Sequence, residues 1–317
     1  MDKKPNNLKY IFGPVPSRRL GRSLGVDLVP YKTCTFDCIY CDIGKTTCKT
    51  TSRQSYVSPE EIKGELELYL SALDKKPDYI TLSGSGEPTL NRGIGEIIHH
   101  IKELTSIPLA VLTNGSLFSL EEVREALAGS DVVIPSLDAV SEVTFQCLNR
   151  PHPSLKIEDI ILGLIQFRKE YRGQIWLEVV FCRGVNDDKE EIERLKGVIE
   201  RIHPDKVQLN TPIRPPAEEF AYPLTTHQLE EIRKQLGAQA EIISEFTAPL
   251  GIESNSINEI EILNLIKRRP CTTEDISKAL GLHLDEVVKY LGKLVREGRA
   301  HYRMHEHHCY YEGTLIH

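Results

Sequence analysis

Between about residues 22 and 215, short apolar, β-branched runs alternate with stretches of helical periodicity, which limits the chain to folds built on a parallel sheet. Two parallel strands need a crossover of a dozen or more residues between them, and a helix supplies it. The apolar runs lie near residues 23–29, 79–83, 108–113, 131–136, 174–181 and 206–210. Helical patterns fall near 58–73, 93–104, 119–128, 156–171 and 187–202, with another near 225–237 after the last run. Ser58-Pro59-Glu60-Glu61 opens the first of them with a cap residue and a proline in the first turn. Six such units are too few for a closed eight-fold barrel. The expected fold is therefore α/β, a partial (β/α)6 TIM-like barrel over residues 1–237, with a doubly wound open sheet as the alternative.

Residues 238–256, centred on Thr247-Ala248-Pro249-Leu250-Gly251, read as a linker. Beyond it, residues 257–317 carry a helix to about Lys267, a helical stretch through Thr272–Gly281, and a third helix from about Leu284 stopped at Gly298. Two short strands follow near 300–303 and 309–312. Three helices and a hairpin in about sixty residues resemble a small C-terminal winged helix-turn-helix domain. No repeat of solenoid period is present.

Charge separates along the chain. Residues 1–50 hold nine Lys/Arg against four Asp/Glu, residues 51–255 hold 21 against 33, and residues 256–317 hold nine against nine. Only the start is basic, through Arg18, Arg19 and Arg22 among others, so a long nucleic-acid duplex has no extended basic face to meet. These arginines either meet an anion or pair with the acidic body. No apolar run reaches the ~18 residues that cross a bilayer, and no hydrophobic segment follows Met1–Asn7, so the expectation is a cytoplasmic protein without membrane contact.

A reducing compartment turns attention to eight cysteines, four of which, Cys34, Cys38, Cys41 and Cys48, fall within fifteen residues. Cys34-Thr-Phe-Asp-Cys38-Ile-Tyr-Cys41 has the spacing C-x3-C-x2-C directly after the first expected strand. Three thiolates on one loop hold three irons of a [4Fe-4S] cluster and leave the fourth open. A structural zinc site is the alternative, with Cys48 as its fourth ligand.

This spacing resembles that of the radical S-adenosylmethionine (SAM) enzymes. Phe12-Gly13-Pro14-Val15-Pro16-Ser17-Arg18-Arg19-Leu20-Gly21 and Cys38-Ile39-Tyr40-Cys41-Asp42-Ile43-Gly44 look most like the branch of iron-sulfur oxidoreductases related to the wyosine-forming tRNA enzymes. The resemblance covers roughly residues 10–215. It implies a [4Fe-4S] cluster on Cys34, Cys38 and Cys41, SAM chelated at the open iron, and hydrogen abstraction by a 5'-deoxyadenosyl radical. It also implies an electron donor such as flavodoxin or ferredoxin. Tyr40 matches the aromatic residue whose ring approaches adenine, or simply packs. Ser83-Gly84-Ser85-Gly86-Glu87 resembles the loop that meets the SAM amino group, where Glu87 pairs with the ammonium or caps the next helix.

Further strand ends carry Thr113-Asn114-Gly115, Ser136-Leu137-Asp138, Cys182-Arg183-Gly184-Val185-Asn186 and Gln208-Leu209-Asn210. The resemblance assigns Asn114, Ser136, Asp138, Asn186 and Asn210 to SAM, and Ser116 reads as a helix cap. Cys182 either donates hydrogen to a substrate radical or fills the core. Glu178 and Asn149-Arg150-Pro151-His152 are further cavity candidates. With no second cysteine triplet, sulfur insertion at an auxiliary cluster is disfavoured, and the wyosine-forming reaction itself does not transfer. His301, His305, His307, His308 and Cys309 form a histidine-rich hairpin capable of binding a transition metal.

Two function classes follow. The first is a SAM-cleaving iron-sulfur enzyme acting on a macromolecule, tRNA or protein, that the C-terminal domain recruits. The second is a metal- or iron-sulfur-sensing regulator whose winged helix binds DNA. Polar strand ends and a glycine loop suit the first, because a sensor does not require them.

Overall fold

The computed structural model describes residues 8–72, 76–243, 259–306 and 308–314. In chain order the elements are β1 (Ile11–Ser17), β2 (Gly21–Val26), β3 (Thr33–Cys34), β4 (Cys48–Lys49), α1 (Pro59–Ser71), β5 (Tyr79–Leu82), α2 (Ile94–Leu104), β6 (Leu109–Thr113), α3 (Glu121–Leu127) and β7 (Val132–Pro135). There follow α4 (Glu142–Leu148), α5 (Ile157–Glu170), β8 (Gln174–Val180), α6 (Lys189–Ile202), β9 (Lys206–Asn210), α7 (Thr226–Leu236) and β10 (Ala240–Ile242). The chain continues with α8 (Glu259–Arg268), α9 (Thr273–Leu280), α10 (Leu284–Arg296), β11 (Ala300–His305) and β12 (His308–Gly313). All six expected strands and their helices are present, within a few residues of the boundaries that the apolar pattern sets.

The main sheet has the order β1-β2-β5-β6-β7-β8-β9-β10. Every pair from β2 to β10 is parallel, and β1 lies antiparallel on β2. Because the strands follow one another without reversal, the sheet has no switch point and is not doubly wound. It is a partial barrel in which β1 and β10 are the uncoupled edges. The linker expected at 238–256 needs correction: Ala240–Ile242 pairs in register with Val207–Leu209, so the sheet gains a strand there. Residues 244–258, including the Thr247–Gly251 centre, lie outside the described residues.

Helices form where the apolar spacing is i, i+3, i+4, i+7. In α2 this places Ile94, Ile97, Ile98 and Ile101 against the sheet, all essentially without solvent contact. Between β6 and β8, Phe118, Phe167 and Tyr171 stack in series with ring centroids 4.7 and 4.6 Å apart. Ser58 does not cap α1; its hydroxyl donates to Glu60 Oε2 at 2.6 Å. Inside the barrel, Leu20 from the β1–β2 turn joins Ala110, Val132, Ile134 and Trp176. The hairpin turn thus enters the lumen.

The C-terminal unit comprises three helices and the β11–β12 hairpin around a core that includes Ile262, Ile276, Val287, Leu291 and Leu294. It packs on Val15 of β1. Tyr310 Oη donates to the Ile213 carbonyl at 2.7 Å and Arg303 to that of Pro215 at 3.3 Å. Arg268 at the end of α8 donates to Asp27 Oδ2 at 2.7 Å, and its guanidinium lies 4.3 Å from the Phe12 ring centre. Arg268→Ala is expected to lower unfolding free energy by about 2 kcal/mol, because it strands a nearly buried carboxylate that, among the described residues, keeps only its Ser85 donors. Chemical denaturation of the two proteins measures this.

Candidate active site

The chain leaves β2 at Val26, passes Asp27 and reaches Lys32, whose φ of 57° bends the loop back to the sheet. From Cys34 to Cys41 the backbone is stitched to the segment after α4. Asp37 N donates to the Asn149 carbonyl at 3.0 Å, and Ile39 N to that of Leu148 at 3.0 Å. The apolar residues between the cysteines anchor the loop. Phe36 is buried edge-on against Phe145 and Ile39 is fully buried, whereas Cys34, Cys38 and Cys41 remain half-buried. Odd spacing in the sequence thus becomes a division of labour along one loop.

Each of the three thiols faces one nitrogen donor from a different part of the fold. Asn114 Nδ2 lies 3.5 Å from Cys34 Sγ, Asn149 Nδ2 lies 3.5 Å from Cys38 Sγ, and Lys32 Nζ lies 3.3 Å from Cys41 Sγ. Burial pushes all three thiols up, Cys34 to about 12, so without a bound cation they hold their protons. An iron-sulfur cluster would displace those protons, and the N–H groups would then stabilise the thiolates. Among the described residues no three His, Cys, Asp or Glu side chains converge on a single-ion position. Cys48, the fourth ligand of the zinc alternative, is exposed. A cubane gives each thiolate its own iron and needs no convergence. The residues present therefore fit a [4Fe-4S] cluster better than a closed zinc site.

Beside the loop, the glycine-rich turn after β5 is held by Asp27, which accepts from Ser85 N at 3.1 Å and from the Ser85 hydroxyl. Gly84 has φ +135°, and a Cβ there would strike the Asp27 carboxylate. A Cβ at Gly86 would overlap the Thr33 carbonyl. Glu87, expected at the SAM ammonium or as the cap of the next helix, caps the short 3-10 turn Pro88–Leu90 that precedes α2. Its buried carboxylate accepts from Thr89 N (3.0 Å), Thr89 Oγ1 (2.6 Å), Thr113 Oγ1 (2.6 Å) and Asn114 N (2.7 Å). Burial raises its pKa, and these donors partly offset the rise.

Asp138 is buried and accepts from Tyr40 Oη at 2.5 Å, Asn149 Nδ2 at 2.8 Å and Val180 N at 2.8 Å. Burial lifts its pKa to about 6 against those hydrogen bonds. Asp138, Asn149 and Tyr40 therefore lock the Cys38 turn to β7 and β8. Ser136, half-buried after β7, bridges Glu178 of β8. Asn210 at the end of β9 donates to Glu178 Oε1 at 3.1 Å and accepts from Arg18 at 3.2 Å.

Two assignments, Asn186 and Ser116, are corrected, and the open reading of Cys182 is decided. Asn186 spends its amide on the Asp138 and Val180 carbonyls and its oxygen on Cys182 N, so it ties a loop and has no group left for SAM. Cys182 is fully buried with Ile39, Leu148 and Ala221, and burial pushes its thiol up; this is core filling, not a face open to substrate. Ser116 is not a helix cap either: its hydroxyl meets Thr35 Oγ1 at 2.8 Å, five residues before α3.

Sequence reasoning missed Asp27, Lys32 and Thr35. Their only signal was proximity to the first strand and the cysteines. His152 Nδ1 turns to Ser154 Oγ at 2.8 Å. In the hairpin, His301 lies 3.6 Å from Glu312, and His307 lies outside the described residues. Among the described residues no helix is long and apolar enough to cross a membrane.

Comparison with known proteins agrees with this geometry. The profile of the radical SAM superfamily matches residues 28–195. A UPF0026 protein of Methanocaldococcus jannaschii is 35% identical over 297 residues, covering 91% of each chain. A protein named GTPase Obg from Brachyspira hyodysenteriae is 38% identical over 295 residues, which is 92% of this chain but 43% of that protein. In fold, the chain resembles a radical SAM methyltransferase from Sphaerobacter thermophilus, with TM-score 0.53, 18% identity and coverage of 69% of this chain and 65% of that one.

Proposed function

Because the chain belongs to the radical SAM superfamily, whose cofactors are SAM and a [4Fe-4S] cluster, we propose that Cys34, Cys38 and Cys41 hold that cluster and that the strand ends around them seat SAM for hydrogen abstraction from a macromolecular substrate. The observation that carries this reading is the trio of half-buried thiols, each met by its own nitrogen donor from Asn114, Asn149 or Lys32. When bound, the cluster supplies the electron that cleaves SAM to methionine and a 5'-deoxyadenosyl radical.

The chain's own residues then have distinct duties. Ser83, Gly84 and Gly86 present backbone to the amino group, and Asp27 fixes that turn. Glu87 orients Asn114, which borders both Cys34 and Thr35. Tyr40 holds its ring against the Ile39 cluster through its bond to Asp138, which suits contact with adenine. Ser136 and Asn210 line the neighbouring strand ends.

The three helices and hairpin of the C-terminal unit are read as a winged-helix domain that recruits tRNA or protein. Its contacts with Ile213 and Pro215, just past β9, put it at the barrel mouth. Flavodoxin or ferredoxin is the proposed electron donor, and the motif likeness is to the wyosine-related oxidoreductases, whose tRNA-modifying reaction is not carried over.

Anaerobic reconstitution with iron and sulfide, reduction by dithionite and addition of SAM are expected to release 5'-deoxyadenosine and methionine. Unfractionated cellular tRNA or a protein extract is expected to stimulate that release. Retention of zinc without SAM turnover would overturn the proposal in favour of a metal-sensing DNA-binding regulator.

A further inference from the structure

Arg18 and Arg19 occupy the hairpin turn that enters the barrel beside Leu20. Trp176 and Glu178 are two residues apart on β8 and so share the face that meets the lumen where Leu20 sits. Arg19 Nη1 lies 2.6 Å from Glu178 Oε1, with about 15% and 12% of the two side chains exposed. Arg18 reaches across to Asn210 Oδ1 at 3.2 Å, the one side-chain hydrogen bond it makes among the described residues. Arg214, four residues beyond Asn210, stands 3.8 Å from Asp42, the neighbour of Cys41, with 12% of its side chain exposed.

This group is underbonded. Three guanidinium cations face Glu178, Asp42 and, on the side of the C-terminal unit, Asp275, and Asp42 and Asp275 hold the Arg214 pKa up against burial. A guanidinium has five N–H donors, yet Arg18 uses one of them, and the buried Nε of Arg214 has no hydrogen-bond partner among the described residues. Burial, then Arg214 and Arg19, push the Arg18 guanidinium down to about 10. Burial opposes ionisation of Glu178, but Arg19, Asn210 and Arg18 outweigh it and hold its pKa low. A purely structural cluster pairs its buried charges and donors. This one leaves donors over, in the lumen and next to the cysteine loop. Planar guanidinium forks match the oxygens of phosphate and carboxylate groups.

We propose that Arg18, Arg19 and Arg214 form an oxyanion site inside the barrel that receives a phosphate or carboxylate group of the substrate. Assigning the anion to the substrate rests on the SAM-cleaving reading above. Binding itself needs no turnover, so the two can fail separately.

Inorganic phosphate is titrated calorimetrically into anaerobically reconstituted protein, with and without saturating SAM, against chloride at equal ionic strength. Saturable phosphate binding is expected in both conditions. Arg18→Gln and Arg214→Gln are each expected to weaken it at least tenfold, and Arg18→Lys to recover part of the loss. Three results would overturn the proposal: no phosphate response beyond that of chloride, unchanged affinity in both glutamine variants, or loss of phosphate binding when SAM is present. The last would assign the arginines to the SAM carboxylate. The wild-type titration decides even where a variant misfolds.

Discussion

Cys38→Ala is expected to reduce 5'-deoxyadenosine formation to background while the chain still folds. Cys38 sits between two buried anchors, Phe36 and Ile39, and the backbone bonds of Asp37 and Ile39 to the segment after α4 do not involve its side chain. Removing one half-buried sulfur therefore costs about 1 kcal/mol of stability or less. A cluster held by three thiolates loses a third of its attachment, and no described cysteine stands ready to replace it: Cys48 and Cys147 are exposed, Cys309 lies in the β11–β12 hairpin, and Cys182 and Cys271 are sealed in apolar surroundings. Iron content and visible absorption after reconstitution should fall together with turnover. Cys48→Ala is the matched control, expected to keep both. A Cys48→Ala protein that lost its metal would instead indicate a four-thiolate site, and would sink the cluster assignment.

Glu87→Ala is expected to cost about 3 kcal/mol of unfolding free energy. The carboxylate is buried and receives four hydrogen bonds from three residues. The hydroxyls of Thr89 and Thr113 can rotate to new partners, but the backbone N–H groups of Thr89 and Asn114 cannot, and each unsatisfied buried donor costs ~1–3 kcal/mol. Glu87→Gln should lose less, because the amide keeps one acceptor oxygen and carries no charge to desolvate. Both changes loosen Asn114 and hence its bond to Cys34, so SAM cleavage should fall in both. Denaturant midpoints together with single-turnover 5'-deoxyadenosine yields check this. A stable Glu87→Ala protein with reduced SAM affinity alone would return Glu87 to direct contact with the SAM ammonium.

What was legible in the chain follows from the range of the forces involved. The strand-helix alternation reports which faces must be buried, and that requirement is local, so six strands and their helices were readable. The unread elements are those in which local pattern is weak. In β1, Pro14 and Pro16 argue against a strand and are tolerated because it is an edge. The seven-residue α4 is too short to show a helical period, although Ser141 caps it by accepting from Thr144 N. Three residues suffice for β10 because β9 supplies the whole ladder.

The candidate site divides in the same way. Cysteine spacing, the glycine turn and the polar strand ends can be read because a loop of eight residues fixes its own reach. Asn186 was misassigned, and Cys182 stayed open between two roles, because a position at a strand end does not reveal which carbonyls or apolar side chains surround it.

By itself, the sequence determined the order of the elements, the open parallel sheet and the three thiols that face its mouth. Only the tertiary structure decided what each thiol meets, what Glu87 braces, and that Arg268 grips Asp27 across 241 residues. It also decided that Arg18, from the start of the chain, stands close enough to Arg214, from beyond β9, for the two charges to act on each other. Periodicity encodes which face of an element is buried, since burial acts on each residue in turn. A side chain's partner is set by how whole elements pack, and that leaves no local mark on the residues themselves.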